Sequence, residues 1–377
     1  MSCPVSLFIA GDYVDAYLYS DVLLVWDGAG RLAIVQTRAL ASAAIAGSDM
    51  HPQLARAAFV DNQLLDEVEV TGTENGDRSS AVADQAIQVN ISDLSPRYFR
   101  VAPELEVLDL MATYGRLFVS TTDSLLSVPF DAREVGPTRK RLDHTCVSTL
   151  PRWGSVTASC ANAGSWALLG ENSSADVGGS RTLQFDSATS IRHSWLGSNV
   201  LTFEENGRFD PFRADVERGK GKETLVRGFE PLSSNDFANE GWWLDEDADI
   251  AGLSDSDFTA VFPGEIVTSH RGEILATPLH VWGGFPQPAG YSQSLGRVPG
   301  RILDIVRTAG EYVIETDGAL HILTDEGREP ELLLERETIA LRSYGRSRRY
   351  RRVVTATADG GLLIAAFTGT PSGIRGE

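Results

Sequence analysis

Residues Tyr312–Leu323 read YVIETDGALHIL, with apolar runs on either side of the pair Asp317-Gly318. An Asp-Gly pair supplies the positive φ angles of a type I′ turn, whose twist matches that of the two strands it joins. Short runs rich in β-branched and aromatic side chains, bounded by such a pair, are typical of strands. The segment therefore predicts a β-hairpin.

The same unit recurs along the whole chain. Turns with Asp-Gly, Asn-Gly or similar polar residues between apolar runs are centred near residues 27, 75, 122, 162, 206, 271, 317 and 359. Neighbouring centres lie 40 to 48 residues apart, except for an interval of 65 between 206 and 271. Because a four-stranded propeller blade takes ~40–50 residues, each interval is interpreted as one repeat, and the long one as a repeat with an insertion of ~20 residues within about 207–257.

In this period and turn chemistry the chain resembles the β-propeller superfamily over nearly its whole length. The resemblance implies an all-β fold and a single domain over residues 1–377, with seven blades, or eight if every hairpin belongs to its own blade. A strand near Ser6–Ile9 is expected to pair with the C-terminal region and close the ring. WD repeats, which carry a recurrent Trp-Asp pair, are not indicated, because only Trp26-Asp27 is present. Two short helices are predicted, Ala39–Ala46 and Pro52–Phe59, the second capped by Ser48 or Asp49.

Composition restricts the setting and the partners. The net charge is −19, which favours solubility or a basic protein partner and disfavours nucleic acid and anionic membranes. Three cysteines, Cys3, Cys146 and Cys160, give no disulfide framework and predict a reducing, cytoplasmic compartment. No apolar stretch is long enough for a membrane helix.

The long interval is acidic and contains Trp242 and Trp243, followed by Asp245, Asp247 and Asp249. Aspartates at alternate positions resemble the start of a calcium loop, but the glycine and the bidentate carboxylate that such a loop needs are missing from the following positions. The segment is therefore a candidate divalent-metal site or, alternatively, a solvated acidic loop, and no other cofactor is predicted. The tryptophan pair is interpreted as packing anchors or as a contact point for another protein.

Residues 342–352 hold six arginines and two tyrosines, a local reversal of charge. Arginine beside aromatic rings suits RNA or phosphate, and equally suits docking against an acidic protein surface. A solvated strand edge, protected from aggregation by its charge, is the third interpretation. We predict partner-protein contacts through Arg346, Arg348, Arg349 and Tyr350, and nucleic-acid contact only through this cluster if at all.

No catalytic motif is found. The serine elbow, the phosphate-binding lysine loop and the helical zinc signature do not occur. Gly28–Ala33 matches a dinucleotide-binding fingerprint with alanine in the last place, with a hairpin turn as the alternative. The sequence favours a non-catalytic interaction platform, as a scaffold or regulatory subunit of a bacterial multi-component system. The alternatives are a lactonase- or glycosidase-like enzyme with a metal in a central channel, and a small-ligand sensor.

Overall fold

The computed structural model describes most of the chain as two compact units. The first unit comprises residues 1–104, 132–134 and 295–377, and the second comprises residues 105–131 and 135–294. Within the described residues, the first unit carries two α-helices and three sheets, and the second carries four sheets. The described residues are 4–66, 81–101, 106–131, 133–171, 181–196, 198–204, 209–218, 224–232, 257–262, 264–282, 285–288, 292–324, 329–344 and 347–368.

The three sheets of the first unit are antiparallel meanders, with one further strand, β5, added in parallel to β1. Their strands are β2 (Tyr13–Tyr19), β3 (Val22–Asp27), β4 (Arg31–Gln36) and β6 (Arg97–Arg100) in one; β24 (Ile302–Arg307), β25 (Glu311–Thr316), β26 (Leu320–Thr324) and β27 (Glu331–Leu334) in another; and β28 (Thr338–Ser343), β29 (Val353–Ala358), β30 (Gly361–Phe367), β1 (Pro4–Ala10) and β5 (Ile87–Asn90) in the third.

The four sheets of the second unit are also antiparallel meanders. Strand β23 (Gln293–Arg297) follows the last of them in sequence. The sheets consist of β7 (Val107–Thr113), β8 (Arg116–Thr121), β9 (Leu125–Pro129) and β10 (Arg139–Leu142); β11 (Ser148–Arg152), β12 (Ser155–Ser159), β13 (Ser165–Leu169) and β14 (Arg181–Asp186); β15 (Arg192–Leu196), β16 (Asn199–Phe203), β17 (Phe209–Arg218) and β18 (Thr224–Pro231); and β19 (Phe258–Phe262), β20 (Glu265–His270), β21 (Glu273–Trp282) and β22 (Phe285–Pro288).

Six of the eight predicted turns occupy one structural position, the connection between the second and third strands of a sheet. The other two, near residues 75 and 206, lie outside the described residues. Gly28–Ala33 belongs to one of these connections, between β3 and β4, so the hairpin interpretation of this segment is correct. The recurrence of this turn in six of the seven sheets explains the regular spacing of the turn signals in the sequence.

The sheets bury both faces. Along β29 every side chain is buried, and successive residues point to opposite sides. Val353 packs in a cluster with Leu23 of β3, whereas Val354 packs in a different cluster with Val313 of β25. Each sheet of this kind supplies apolar surface to two neighbours, which is how repeats that cannot fold alone build a continuous core.

The last sheet of the first unit is completed by both ends of the described chain. Strand β1 pairs antiparallel with β30 over its whole length, from Pro4 opposite Phe367 to Ala10 opposite Gly361. The expected pairing of an N-terminal strand with the C-terminal region is therefore confirmed.

A helical insertion lies between β4 and β6. It contains α1 (Thr37–Gly47), α2 (Pro52–Phe59) and three short 3-10 helices, Asn62–Asp66, Val82–Gln85 and Ile91–Leu94. The predicted helix Pro52–Phe59 is correct, but its predicted cap at Ser48 or Asp49 is wrong. His51 caps it instead, since its Nδ1 accepts a hydrogen bond from Gln53 N at 3.3 Å.

Seven sheets, each built around a four-stranded meander, make the chain an all-β, seven-bladed β-propeller with three blades in the first unit and four in the second. That the whole of residues 1–377 behaves as one domain stays a prediction.

Candidate docking surface

The first strands of four blades share an irregularity, a β-bulge near the start. In β2, Tyr13 lies opposite Asp27 and Asp15 lies opposite Trp26, so the ladder skips Val14. A bulge bends its strand and redirects the side chain of the extra residue. The extra residues are Val14 in β2, Leu108 in β7, Leu303 in β24 and Ile339 in β28.

Three of these apolar residues reach solvent together in the first unit. Leu303 is 43% exposed and Ile339 is 55% exposed, and Val14 is half-buried. Strand β28 packs against both β24 and β2, and each of the three residues is the second of its strand. We call Val14, Leu303 and Ile339 the bulge row. Exposed apolar side chains that are grouped, unlike scattered ones, mark binding surfaces.

The aspartate that follows the bulge residue stabilises the bulge in β2 and in β24. Asp15 Oδ1 accepts a hydrogen bond from the next backbone nitrogen, Ala16 N, at 2.7 Å. Asp304 Oδ1 does the same for Ile305 N at 2.8 Å. In the sequence, a repeated tetrad with aspartate in third place marks these bulges. The prediction from sequence missed this repeat because it was based on the turns. The tetrads are YVDA at 13–16, VLDL at 107–110 and ILDI at 302–305.

Carboxylates lie at the same end of the three blades as the bulge row. In an antiparallel pair the start of the first strand lies beside the end of the second, so the Asp-Gly turns of the three blades fall at the same end as the bulges. Backbone hydrogen bonds join these turns to the segment before β2: Gly28 N donates to Asp12 O at 3.2 Å, and Gly11 N to Gly360 O at 3.1 Å. We call the carboxylates at this end the acidic rim. Its members are Asp12, Asp27, Asp317, Glu335, Glu337 and Asp359.

Four arginines at the same end only partly offset this charge. Arg31 pairs with Asp27, with 2.8 Å between Nε and Oδ2. Arg336 donates to Asp359 O at 3.0 Å, and Arg301 is exposed. Arg100 lies opposite Arg31 in the pairing of β4 with β6 and is exposed. Six carboxylates against four guanidinium groups leave the end that carries the bulge row negative.

A further carboxylate of this region titrates near neutral pH. Glu315 of β25 lies directly opposite Asp304 of β24. Burial, and then the charge of Asp304, raise the pKa of Glu315 to about 7. Because the group loses its proton around this pH, the negative charge beside Leu303 increases in mildly alkaline solution.

An ion pair fixes two of the bulge strands to each other. Arg342 Nε of β28 donates to Asp15 Oδ1 of β2 at 2.8 Å, and a second guanidinium nitrogen pairs with Asp15 Oδ2. Asp15 is 2% exposed. The pair holds the strands that carry Ile339 and Val14 in register, which pre-organises the bulge row.

Residues 347–352 of the predicted arginine cluster lie past the other end of β28, before β29, and they are folded against the insertion. Tyr350 is 1% exposed, and its hydroxyl donates to Ser20 O. Asn62 N donates to Arg349 O at 2.7 Å, and Asn62 Oδ1 accepts from Arg352 N at 2.9 Å. The tyrosine therefore anchors the loop from inside the fold.

The arginines of this loop differ in their surroundings. Arg348 is exposed, and Arg349 is exposed while paired with Asp21. Arg352 is 2% exposed, and Arg346 lies outside the described residues. Of the predicted contact arginines that the structure describes, Arg348 and Arg349 present their side chains to solvent.

The predicted contact and metal residues of the long interval, Trp242, Trp243, Asp245, Asp247 and Asp249, all lie outside the described residues. Where the structure describes the chain, it contains no cluster of three or more His, Cys, Asp or Glu side chains that could hold a metal ion. Neither described α-helix has the length and apolar character needed to cross a bilayer.

Two cysteines lie side by side in the second unit. The sulfur atoms of Cys146 and Cys160 are 2.6 Å apart, and both residues are buried free thiols. The thiol of Cys146 donates to His144 O at 3.4 Å, while the imidazole of His144 packs against Trp166. The pKa of Cys160 is raised by its hydrogen bond with Cys146 and by burial, so this thiol is a poor nucleophile.

His193 is the centre of a buried polar network between two blades of the second unit. Thr157 Oγ1 donates to Leu150 O at 3.1 Å, so it can accept from His193 Nε2, 2.7 Å away. Ser159 Oγ lies 2.8 Å from His193 Nδ1 and can donate to it. A neutral imidazole satisfies both contacts, and burial lowers the pKa of His193 to about 3.

The His193 network predicts acid sensitivity. The pKa of this imidazole falls from 6.5 unfolded to about 3 folded, so only the unfolded state takes up a proton as pH drops below 6.5. Stability attributable to this residue is complete above pH 6.5 and should fall by about 2 kcal/mol by pH 5. Urea titrations followed by tryptophan fluorescence at pH 7.5 and pH 5 measure the loss.

The matched variant for this test is His193→Gln. It should be less stable at both pH values because it disrupts the network, yet it should show a pH-dependent loss smaller by about 2 kcal/mol. An unchanged difference between the two pH values would show that His193 is not the group responsible.

Comparison with known proteins supports the architecture alone. No protein-family model matches the sequence, and no curated protein matches it significantly. The structure of YCF48 bound to a D1 peptide is similar, at 10% identity over 98% of each chain with a TM-score of 0.50.

Two other similar structures cover nearly the whole chain. BBS1N in complex with ARL6DN matches at 9% identity over 99% of each chain, with a TM-score of 0.49. The N-terminal domain of Nup159 matches at 10% identity over 96% of this chain and 90% of that one, with a TM-score of 0.44. The chain is thus a seven-bladed β-propeller for which no narrower family is shown.

Proposed function

We propose that the protein is a non-catalytic interaction platform, a scaffold or regulatory subunit that docks another protein on the bulge row. The observation that carries the proposal is the exposure of Leu303 and Ile339 at the same position, the second residue, of two strands that pack against each other. Displaying these side chains costs free energy in a monomer, and burial against a partner recovers it.

Rigidity supports the same function. The bulge row is carried on strands rather than on loops, and the pair between Asp15 and Arg342 holds two of those strands together. A preorganised surface loses little conformational entropy when a partner binds. A propeller can dock a peptide: the similar structure of YCF48 is bound to a D1 peptide.

The arginine loop is proposed as a second contact region for a protein partner. Arg348 and Arg349 supply exposed guanidinium groups, Arg346 is included from the sequence, and Tyr350 acts by holding the loop in place. Trp242 and Trp243 remain proposed contacts from the sequence. We place the protein in the cytoplasm, where its three cysteines would stay reduced.

Site-specific photo-crosslinking tests the docking surface. A photoreactive phenylalanine analogue at position 339 or 303 should give a discrete crosslinked protein adduct in the cells that express the protein naturally. The control position is Ile45 on α1, which is 38% exposed. Adducts at position 45 as abundant as those at 339 and 303 would remove the bulge row from consideration.

A further inference from the structure

We infer that the bulge row takes a basic protein segment in which arginine or lysine alternates with aliphatic or aromatic side chains. This inference rests on the proposed docking function and adds the chemistry of the partner. It follows from two independent features of one surface, its exposed apolar centre and the sign of the charge around it.

The apolar centre requires apolar side chains from the partner. Leu303 and Ile339 are the most exposed of the four bulge residues, and Val14 on the adjoining strand is half-buried. A partner that offered only charge would leave these side chains in water and gain nothing from them. The inferred segment therefore carries at least one large apolar residue that covers the row.

The rim decides the sign of the partner's charge. Glu335, Glu337 and Asp359 are all exposed. Arg336, which lies between the two glutamates in sequence, donates a hydrogen bond to the backbone oxygen of Asp359 and lies over the Phe8 ring. Nucleic acid, anionic lipid and acidic peptides would be repelled here. Cationic side chains that flank an apolar anchor would be attracted, and the attraction would be screened by salt.

The rim also extends across the joint between two of the blades. The Asp27-Gly28 turn is hydrogen-bonded to Asp12 O, and the neighbouring Gly11 is hydrogen-bonded to Gly360. Carboxylates from two blades therefore meet at the joint between them. A segment that crosses this joint can place basic residues on both sides of its apolar anchor, which fits an alternating sequence better than a single cationic cluster.

A random peptide library displayed on phage and selected against the full-length protein tests the inference. Enriched peptides should carry net positive charge and at least one large apolar residue. Synthetic copies should bind about tenfold more weakly to Ile339→Lys and to Leu303→Lys, because each change buries a like charge at the anchor. Ile45→Lys is the control: it places a lysine at an exposed position on α1 and should leave the affinity unchanged.

The rim is tested separately with variants that keep the fold. Glu335→Gln, Glu337→Gln and Asp359→Asn together should weaken binding about tenfold, since each exposed ion pair contributes little alone. The change at 359 keeps a turn-forming Asn-Gly pair. The control carries the same change of net charge at exposed positions elsewhere, Asp49→Asn, Asp84→Asn and Asp143→Asn.

The outcomes separate the partner chemistry from the docking function. If the enriched peptides carry no positive charge but no longer bind the Ile339→Lys variant, the basic partner is wrong and the docking surface stands. Basic peptides insensitive to Ile339→Lys and Leu303→Lys would overturn the docking surface itself. A selection that enriches no peptide above the control protein would overturn both.

Discussion

Replacement of Leu7 by alanine should lower the free energy of unfolding by about 2–5 kcal/mol, and removal of strand β1 should abolish cooperative folding. Leu7 is fully buried and lies opposite Ile364 in the antiparallel pairing of β1 with β30. Its blade is the one in which the chain's first and last described strands meet. The loss therefore includes the cavity left by the leucine and the weakened closure of that blade. Urea denaturation followed by tryptophan fluorescence measures it.

Ile45→Ala is the control for this prediction, since Ile45 is 38% exposed at the end of α1. It should change stability by no more than about 1 kcal/mol. If Leu7→Ala were as mild as Ile45→Ala, the pairing of β1 with β30 would not be what closes the blade.

The repeat architecture was predictable because turn chemistry is local. An Asp-Gly pair needs no distant residue to form its turn, so the turns at 27, 317 and 359 could be read directly from the sequence. Each marks the second-to-third strand connection of one blade. The helix Pro52–Phe59 was equally local, since proline in a first turn favours a helix start.

The docking surface was harder to predict because exposure depends on strand pairing. Leu303 and Ile339 sit in apolar runs that look like core, and only the skipped position in the ladder turns them outward. The arginine cluster shows the converse. Tyr350, one of its two tyrosines, is predicted from the sequence to be a surface contact. It is buried, because the helical insertion and the segment before β29 fold against each other.

The second large effect is expected at the ion pair beneath the bulge row. Asp15→Ala should cost about 3–5 kcal/mol, because it leaves the guanidinium of Arg342 largely buried without its carboxylate. The side chain of Arg342 is 17% exposed, so water only partly replaces the lost partner. The backbone nitrogen of Ala16 also loses its acceptor, which weakens the bulge at Val14. Peptide affinity at the bulge row should fall together with stability, because β2 and β28 are no longer held in register.

Replacing both partners separates the charge from the packing. In the double variant Asp15→Leu with Arg342→Met, no charge remains buried, and apolar side chains of similar size fill the space. Most of the stability lost in Asp15→Ala should return, as is common when a buried pair is replaced as a unit. Peptide affinity should return less completely, because the ion pair fixes one arrangement of the two strands, whereas apolar contact tolerates several. Full recovery of affinity alongside stability would show that packing alone positions Ile339 and Val14.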